Sequence, residues 1–306
     1  MNVELVILNY NGEGVIEPCL PSIVDAASHS KYQPRIIFLD NCSTDLSVQY
    51  VARNFPSIQI VRSKQNRVLC SYNDYLARCS ADVTVLLNND MKVKRDFIDP
   101  LIDPFEHEQY LFMVTSKCLS FDGSRYEGGR TRFRMKYGVF WASGRYKGHE
   151  NLIDRPGNTM AAGYGAFSRE KFLALGGYDD LYLPGRLEDS DLCFRAWKRG
   201  WHCLYEPRSV VYHDGGISFR KAFGTNGTLI INHRNSFLFL WKNISDPLLI
   251  LEHIFWLPFR LLFALFRGQT EFVLGFFQAL GRLGRSLGKR TSQGQTRTDR
   301  QVFNQV

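Results

Sequence analysis

The chain has 306 residues and a mass of 35.3 kDa, which is enough for one large domain or two small ones. Hydrophobic residues make up 44% and charged residues 22%, so the composition excludes a wholly disordered protein. The formal net charge is +8, and half of that excess lies in residues 246–306, where 8 basic residues outnumber 4 acidic ones. This asymmetry predicts an anionic surface as a partner of the C-terminus. The dense basic arrays of a nucleic-acid-binding protein are missing, so no nucleic acid is expected as a partner.

Cysteine usage and the N-terminus bear on the compartment. The seven cysteines are an odd number without a Cys-x-x-Cys pair, so they fit neither a disulfide framework nor a zinc site. They favour a reducing compartment. The chain enters a strand-like run at residues 3–8 without a basic region or a cleavage site, so no signal peptide is predicted.

The first 120 residues alternate short apolar runs with helix-compatible stretches. The candidate strands are residues 4–9, 35–40, 58–62, 82–88 and 112–116, and the candidate helices are residues 15–28, 46–54, 69–80 and 95–107. Strand–helix alternation predicts an α/β fold with a mostly parallel sheet flanked by helices. In such sheets ligands bind at the carboxyl ends of the strands, and polar residues stand there at 9–11, 40–41 and 88–90.

Residues 120–158 are rich in Gly and Arg and give a weaker pattern. A strand over 130–136 would put Arg130, Arg132, Arg134 and Lys136 on one face, because side chains alternate with a period of two. We interpret this face as an acceptor or membrane contact, with a solvated, charge-protected edge strand as the alternative. Further on, helices are predicted from residues 168 and 188, and strands at 202–206 and 209–213.

From residue 247 to 289 the chain is strongly apolar and aromatic. At 100° per residue its polar side chains form one stripe and its Leu, Ile, Phe and Trp side chains form the opposite face. We interpret residues 244–290 as amphipathic helices on a membrane surface, with Trp256 in the headgroup boundary and Arg260 on lipid phosphates. The alternative is a helix packed on the preceding domain with its polar stripe in solvent. Residues 1–243 are then the catalytic domain, and residues 291–306 are predicted to be a disordered tail.

Two clusters carry candidate chemistry. Asn88, Asn89 and Asp90 follow an apolar strand, and a carboxylate at this position can hold Mg²⁺ or Mn²⁺ between protein and diphosphate oxygens. A strand-to-loop turn would favour the same residue types. Glu188 and Asp189 open a predicted helix, where the helix dipole alone could explain them, but one of them could also serve as a general base.

A histidine at a strand end is more often structural than a ligand, so His213 alone would carry little weight. It gains weight from the order of motifs along the chain. Seven motifs, at residues 9–12, 39–45, 87–90, 165–172, 176–179, 188–195 and 212–218, occur in sequence. Their order and spacing resemble the family 2 glycosyltransferases of GT-A (Rossmann-like) fold. They are most similar to the bacterial branch of rhamnosyltransferase-like and other cell-surface polysaccharide enzymes.

The resemblance implies a donor site for a nucleotide-diphosphate sugar. It implies that Tyr10 packs on the nucleotide base and that Asp40 hydrogen-bonds the base. Asn88 and Asp90 match the outer positions of the Asp-x-Asp motif, Asp90 as the metal ligand, and His213 matches a histidine that completes the metal site in some members. The remaining residues expected at the donor site are Asn11, Asn41, Asn66, Asn73 and Asn89.

The resemblance further implies an inverting reaction in which Asp189, of the Glu188–Asp189 pair, is the catalytic base. The acceptor would be a hydroxyl of a saccharide, lipid-linked if the C-terminal helices lie on a membrane, and the enzyme would sit at the cytoplasmic face of the cell membrane. One departure concerns the family's Asn-x-Gly-Phe-Ala, which here is residues 66–70 without the glycine. It affects the expected shape of that loop.

Two other functions remain to be weighed. A sugar-1-phosphate nucleotidyltransferase has a similar sheet, but it needs a basic Gly-rich loop after the first strand, and residues 9–14 contain an acid and no cation. A catalytically degenerate membrane scaffold is the non-enzymatic alternative. The presence of Asp40, Asp90, Asp189 and His213 argues against a scaffold.

Overall fold

The computed structural model describes residues 1–213 and 215–306, with all their side chains except those of Ile217 and Ser218. Asp214, in the motif at 212–218, lies outside the described residues. The strands are β1 Val3–Asn9, β2 Arg35–Asp40, β3 Gln59–Arg62, β4 Val83–Asn88, β5 Lys92–Val93, β6 Leu111–Leu119, β7 Tyr126–Gly128, β8 Arg132–Lys136, β9 Val139–Ser143, β10 Gly157–Asn158, β11 Gly165–Ser168 and β12 His202–Tyr212.

The helices lie mainly between and after these strands. They are α1 Ile16–His29, α2 Ser47–Asn54, α3 Ser71–Leu76, α4 Asp99–Ile102, α5 Arg169–Ala174, α6 Glu188–Lys198, α7 Ile217–Asn243, α8 Pro247–Phe266, α9 Thr270–Leu280, α10 Leu283–Gly288 and α11 Asp299–Phe303. The predicted strands of the first half and their order are therefore observed, with ends that differ by a few residues.

One twisted sheet organises the molecule, in the order β10-β12-β6-β11-β4-β1-β2-β3. Strands β3, β2, β1 and β4 run parallel to one another. Strand β11, between β4 and β6, is antiparallel to both. Both faces of β1 are covered. Leu5 and Ile7 pack with α1 on one face while Val6 and Leu8 pack on the other, as the two-residue period requires.

One helix prediction fails in its extent. Residues 95–107 were expected to form a single helix, whereas the α-helix covers only Asp99–Ile102 and a 3₁₀ helix follows over Asp103–Glu106. Pro100 and Pro104 lie at the start of these two short segments. Proline donates no backbone hydrogen bond and clashes with the preceding turn, so the second proline ends the α-helix.

The predicted cationic strand is shorter than expected. Strand β8 pairs with β9 as a separate hairpin, and Arg132, Arg134 and Lys136 are all exposed on one face of it. Arg130 lies before the strand, where its Nη1 donates to the carbonyl oxygen of Arg155 at 3.2 Å. Three of the four predicted cations therefore share a face, and Arg130 supports a neighbouring loop instead.

The C-terminal helical extension packs against the sheet domain through α7, and its polar stripe does not lie in solvent as the alternative interpretation required. Much of the polar stripe of α8–α10 faces the protein. Glu252 accepts a hydrogen bond from the backbone of Gly138 at 3.2 Å, and His253 is buried between Trp241 and the carbonyl oxygen of Gly138. The ring of Trp256 packs against Tyr137, with centroids 5.2 Å apart, so this residue is only half exposed.

The two arginines near the end of the stripe also bind the protein. Arg282 donates to the carbonyl oxygens of Leu181 and Leu183, and Arg285 forms an ion pair with Asp180 at 2.8 Å. Lipid phosphates are therefore not their partners in this structure. The apolar side chains of α8 and α9 are exposed as a consequence: Leu248, Leu251, Ile254, Phe255, Phe259, Leu262, Phe263, Leu265, Phe266, Leu274, Phe277 and Leu280.

The tail was expected to be disordered, but the structure shows it docked on the domain. Thr298 caps α11 through a capping box with Gln301, and Val302 is fully buried. Asp299 forms a buried ion pair with Lys198 at 2.7 Å. The polar composition without periodicity gave no signal for a docked segment, because the ion pair that holds it depends on Lys198, a distant partner.

Candidate active site

The candidate site lies at the carboxyl edge of the sheet, where β1 and β4 are neighbours. Asn89, just beyond β4, donates from Nδ2 to Oδ1 of Asn9 at 2.8 Å, and the Asn9 amide donates to the hydroxyls of Ser43 and Ser47. A Cβ at Gly12 would lie 2.3 Å from Asn9 Oδ1, so only glycine allows the backbone to cross here. Asn89 thus holds two strand ends together, and its predicted contact with the donor stays a prediction.

The residues after β2 form a second part of this edge. Asp40 is buried and its Oδ1 accepts a hydrogen bond from the backbone N–H of Ser43 at 3.2 Å. The amide of Asn41 donates to Asn66 Oδ1 at 2.8 Å and accepts from Ser71 at 2.6 Å. These bonds join the loop at 66–70 to the strand end, despite the missing glycine of the family motif.

Other predicted donor residues differ in what they contact. Tyr10 is 51% exposed, so its ring is free to stack on a planar group. The Asn11 side chain accepts from the backbone N–H of Thr44 at 2.8 Å, which orders the loop beside Tyr10. Asn88 is half-buried at the end of β4, and no side-chain hydrogen bond engages it among the described residues. The Tyr10 ring and the Asn88 amide therefore have binding capacity left for a ligand.

Asn73 has a structural contact in addition to its predicted role. Its amide donates to the carbonyl oxygen of Tyr178 at 2.8 Å and accepts from the N–H of the same residue at 2.9 Å. A Cβ at Gly177 would lie 2.3 Å from Asn73 Oδ1. Both ends of the amide bind the backbone, so Asn73 fixes the loop that precedes the catalytic segment, and its contact with a donor stays a prediction.

Asp90 and His213 are together, as predicted. His213 Nε2 lies 3.3 Å from Asp90 Oδ1. Burial opposes protonation of the ring, but the Asp90 carboxylate outweighs it and raises the pKa of His213 to about 10. Asp90 Oδ1 is buried, and its contact with the His213 ring lacks the alignment of a hydrogen bond. A buried carboxylate oxygen that already stabilises a positive charge suits a divalent cation.

Only two protein ligands meet here. Across residues 1–213 and 215–306, no group of three or more His, Cys, Asp or Glu side chains could hold a metal. This number suits Mg²⁺ or Mn²⁺ in a nucleotide enzyme, because these ions take one or two protein ligands and complete their shell with phosphate oxygens and water. Asp90 and His213 would be the protein ligands.

The three acids at the start of α6 have distinct environments. Asp191 is fully buried among Arg195 at 2.8 Å, Lys242 at 2.6 Å and Asn243 at 2.8 Å, and Arg195 lies four residues further along the same helix. Burial alone would raise the Asp191 pKa, but its cationic partners hold it below the usual range. Asp191 is therefore a structural, ionised residue.

Glu188 and Asp189 are the reactive pair by environment. Burial and the charge of Asp189 raise the pKa of Glu188, whose Oε2 is buried without a hydrogen-bond partner among the described residues. Burial also raises the pKa of Asp189, while its Oδ1 accepts from the backbone N–H of Ser190 at 2.7 Å. A carboxylate with a raised pKa is a stronger base, and Asp189 Oδ2 is free to take a proton.

The sheet register brings Asp189 toward the end of β4. In the antiparallel β4–β11 pair, Gly165 lies opposite Leu86, and Gly163 comes two residues before this pairing, on the side of the sheet where β4 ends at Asn88. Asp189 Oδ2 lies 3.8 Å from the position that a Cβ would take at Gly163. The candidate base and the candidate donor site therefore border one space at the carboxyl edge.

Sequence analysis missed two arginines beside this space. Guanidinium nitrogens of Arg186 and Arg220 lie 3.2 and 3.4 Å from the position of a Cβ at Gly216. Arg186 Nε is buried without a hydrogen-bond partner among the described residues, and burial lowers its pKa. Two converging cations, neither of them paired with a carboxylate among the described residues, are suited to a phosphate group. Neither belongs to a motif, and only a fold brings positions so distant in sequence together.

The loop that carries Arg186 and leads into α6 is held by residues of α7 and by Arg282, the residue just before α10. Asn235 in α7 donates to the carbonyl oxygens of Gly185 and Arg186 at 2.7 and 2.8 Å. Arg234 donates to Leu183 at 2.9 Å, and Arg282 reaches the same carbonyl oxygen from α10 at 3.2 Å. The position of Glu188 and Asp189 thus depends on the C-terminal half of the chain.

A parallel sheet with an exposed aromatic ring, a cation pocket, a pair of buried carboxylates and two free arginines at one edge favours a nucleotide-dependent transferase as the class of protein. The chain belongs to the family described as glycosyl transferase family 2, whose model matches residues 4–176. The fold is that of the GT-A enzymes, with the helical extension added at the C-terminus.

Known proteins support the fold at low identity. The chain is 24% identical to N-acetylgalactosaminyltransferase 7 of Drosophila melanogaster over 232 residues, which is 68% of this chain and 38% of that protein. A crystal structure of GalNAc-T7 with UDP, GalNAc and Mn²⁺ superposes with a TM-score of 0.58 at 19% identity, over 76% of this chain and 47% of that one. S. aureus TarS 1–349 in complex with UDP-GlcNAc gives a TM-score of 0.57 at 14% identity, over 94% and 82% of the two chains. The chain thus spans less than half the length of the GalNAc transferases that it matches.

Proposed function

We propose that this protein is an inverting glycosyltransferase. It moves a sugar from a nucleotide-diphosphate sugar to a hydroxyl of a saccharide acceptor, with Mg²⁺ or Mn²⁺ bound. The observation that carries the proposal is the convergence, at one edge of the sheet, of Asp90 with His213 and of Asp189 with the free arginines. Family membership and the UDP complexes of TarS and GalNAc-T7 support the same donor class.

Each part of the donor has a matching group on the chain. The exposed ring of Tyr10 stacks on the base, and Asp40 accepts a hydrogen bond from it. Asn88 binds the ribose or a metal-bound water. Asp90 and His213 hold the ion, while Arg186 and Arg220 hold diphosphate oxygens. When bound, the ion neutralises negative charge on the leaving nucleoside diphosphate.

The acceptor step depends on Asp189. Its Oδ2 takes the proton of the attacking hydroxyl as that oxygen reaches the anomeric carbon from the face opposite the leaving diphosphate, so configuration inverts. The raised pKa of Asp189 improves proton transfer near neutral pH. Arg186 and Arg220 stabilise the negative charge that leaves with the diphosphate.

Membrane attachment is the second part of the proposal. Helix α8 is 20 residues long, and its most apolar stretch has a mean hydropathy of 1.8 and is only 11% buried. By length and composition this helix could cross a membrane. Its exposed apolar side chains, with those of α9, form a continuous surface that water would solvate poorly. We propose that this surface attaches the enzyme to the cytoplasmic face of the cell membrane, where its acceptor is lipid-linked.

A biological setting follows from this arrangement. A nucleotide-sugar enzyme on a membrane, acting on a lipid-linked saccharide, suits cell-surface polysaccharide synthesis in bacteria. The order of motifs favours the rhamnosyltransferase-like branch of the family. Both assignments stay proposals, because identities of 24% and below to the compared proteins support the fold and not the substrate.

The proposed function is tested with donors alone. The purified full chain is screened against UDP, GDP and dTDP sugars with Mn²⁺, with thermal shift as the first readout and donor hydrolysis as the second. Stabilisation by one nucleotide class and slow hydrolysis are expected. If no nucleotide sugar stabilises the chain with either metal, the proposal is wrong, and binding without hydrolysis or transfer would favour a degenerate scaffold.

The metal part has its own variant. Asp90→Ala should remove the Mn²⁺-dependent share of nucleoside diphosphate binding in calorimetry, because the ion links carboxylate and phosphate. Asp96→Asn, an exposed acid shortly after Asp90, is the matched control. Unchanged Mn²⁺-dependent binding in Asp90→Ala would contradict this assignment.

A further inference from the structure

A groove lies in the C-terminal extension, between the β8–β9 hairpin and helices α7, α8 and α9. Its volume is about 370 Å³, within the range of small-molecule sites. Most of its lining is apolar. The lining residues are Trp141, Leu229, His233, Arg260, Phe263, Ala264, Gln269, Glu271 and Phe272.

A single guanidinium stands in this apolar groove. Arg260 lies over the Phe272 ring, 5.4 Å from its centroid, and no carboxylate lies within 4.0 Å of it among the described residues. Burial lowers the pKa of Arg260, which reflects the cost of holding its charge here. A half-buried cation without a counter-ion is stabilised by an anion that enters the groove.

The other titratable groups of the groove leave that positive charge in place. Burial lowers the pKa of His233, so its ring is neutral at neutral pH. Glu271 is in the first turn of α9, where the helix dipole favours its negative charge. Arg260 is therefore the group in this groove that an anion would meet.

The hairpin adds positive charge at the edge of the groove. In the β8–β9 register Arg134 lies directly opposite Trp141, and directly opposed residues share a face. Since Trp141 lines the groove, the exposed face with Arg132, Arg134 and Lys136 adjoins it. On the α8 side, Phe263 both lines the groove and belongs to the exposed apolar surface.

We infer that this groove binds one membrane lipid with a phosphate headgroup, the phosphate on Arg260 and the first part of the hydrocarbon chain along Phe263 and Phe272. The inference rests on the proposed membrane attachment and adds to it a defined lipid site. The apolar lining fits a hydrocarbon chain, the unpaired Arg260 fits the phosphate, and the cationic hairpin face fits an anionic surface. A lipid held there would be positioned against the face of the catalytic domain that α7 and the hairpin form.

The test separates this site from general membrane attachment. The full chain is titrated in solution with short-chain phosphatidate below its micelle concentration, and with inorganic phosphate. It is also floated with vesicles of phosphatidylcholine alone and of phosphatidylcholine with a minor fraction of phosphatidate. The wild-type chain should bind short-chain phosphatidate more tightly than inorganic phosphate and should recover better with the phosphatidate vesicles.

Two variants and a control identify the groove. Arg260→Gln should weaken phosphatidate binding by about fivefold, the effect of one cation near an anionic surface, and leave recovery on phosphatidylcholine unchanged. Leu229→Trp should fill the groove and reduce phosphatidate binding with every charge retained. Arg267→Gln is the matched control, because Arg267 is an exposed arginine on the same stretch outside the groove.

Equal losses in Arg260→Gln and Arg267→Gln, or phosphatidate binding no tighter than inorganic phosphate, would overturn the inference. Failure of the whole chain to float with any vesicle would instead contradict the proposed membrane attachment. The short-chain titration still decides the groove in that case. Melting temperatures of the variants identify any loss that comes from misfolding.

Discussion

Adjacent carboxylates in this chain serve different purposes because their neighbours differ. Asp191 is surrounded by Arg195 and Lys242 and stays ionised, whereas Glu188 is buried and Asp189 is half-buried beside it, with no ion pair to either among the described residues. Repulsion and burial make the second pair costly for stability. Acids kept in such an environment are typical of catalytic sites, which supports a chemical role for the pair.

Asp189→Asn should keep donor binding and lose transfer. The amide has nearly the same shape and can still accept from Ser190, but it does not take up the acceptor's proton. Loss of a general base costs on the order of 10²- to 10⁴-fold in rate. Transfer is measured with radiolabelled donor, and donor binding by thermal shift. Transfer above a tenth of the wild-type rate would exclude Asp189 as the base.

Glu188→Gln should stabilise the protein at neutral and alkaline pH. Burial and the charge of Asp189 raise the pKa of Glu188 in the folded state, so the folded protein binds a proton that the unfolded chain has released. The stability from this group is present below the unfolded pKa of about 4.3 and is lost as pH rises through the raised pKa. The variant and the wild type should melt together near pH 4 and diverge above it. Equal melting temperatures from acid to alkaline pH would contradict the assigned environment.

Arg186→Ala and Arg220→Ala should each weaken nucleoside diphosphate binding, because both guanidinium groups face the space where the diphosphate is proposed to lie. A charge-assisted hydrogen bond contributes about 1.5–3 kcal/mol, so calorimetry should detect a loss of roughly tenfold or more for each. Binding of the free nucleoside should not change. Arg53→Ala, on the distant helix α2, is the control, and an equal loss in that variant would point to a general charge effect.

At the scale of elements, the C-terminal extension and the catalytic segment form one unit. Lys289, just after α10, is within hydrogen-bond distance of Asp179 and Asp180, and Arg285 pairs with Asp180. Arg282 binds the loop that leads into α6. Removing residues 244–306 would therefore disturb the catalytic loop as well as membrane attachment, so point substitutions are the appropriate test of either function.

Lys242→Met should strongly destabilise the fold. Lys242 is buried and pairs with Asp179 at 2.7 Å and Asp191 at 2.6 Å, so its removal leaves two buried carboxylates with fewer counter-charges. Breaking a buried pair in this way costs about 3–5 kcal/mol, which urea unfolding measures. Lys64→Met, at an exposed lysine, is the control and should change stability little. A loss below 1 kcal/mol in Lys242→Met would contradict a stabilising role for this network.

At the scale of the whole molecule, an exposed apolar surface lies on the side opposite to the polar contacts of α8 and α9. Polar side chains that would usually face water are used to bind the domain, and the aromatic and aliphatic ones are left outside. The molecule therefore presents a charged catalytic edge and an apolar attachment surface. Such a surface on a folded protein marks an interaction site.

Phe255→Ser with Phe259→Ser should reduce recovery with vesicles. Both rings are exposed on α8, and burying a phenylalanine is worth about 1.5–3 kcal/mol, so each substitution should lower partitioning by about tenfold or more. Tyr110→Ser, at an exposed aromatic residue outside the extension, is the control. The measurement is flotation of the full chain with phosphatidylcholine vesicles. Equal recovery of the double variant and the wild type would contradict attachment through α8.

The amino-acid sequence determined the sheet and the chemistry-bearing positions at its edge. Apolar runs such as those of β1 and β4 are local signals, because both faces of a parallel strand are buried, and polar residues directly after them are fixed in place by the strand ends. The resemblance carried by the order of motifs implied a shared site for Asp90 and His213, which are distant in sequence, and the structure places them 3.3 Å apart.

Only the tertiary structure decided which polar residues are free. Asn73 and Asn89 have the residue types of a donor site, yet their amides are used within the protein, while Arg186 and Arg220 belong to no motif and converge beside the site. The amphipathic pattern of the extension likewise defined two faces but not which one turns inward. Hydrogen bonds and ion pairs between distant segments decide these questions, because an amide or a guanidinium is satisfied by whatever partner the fold brings to it.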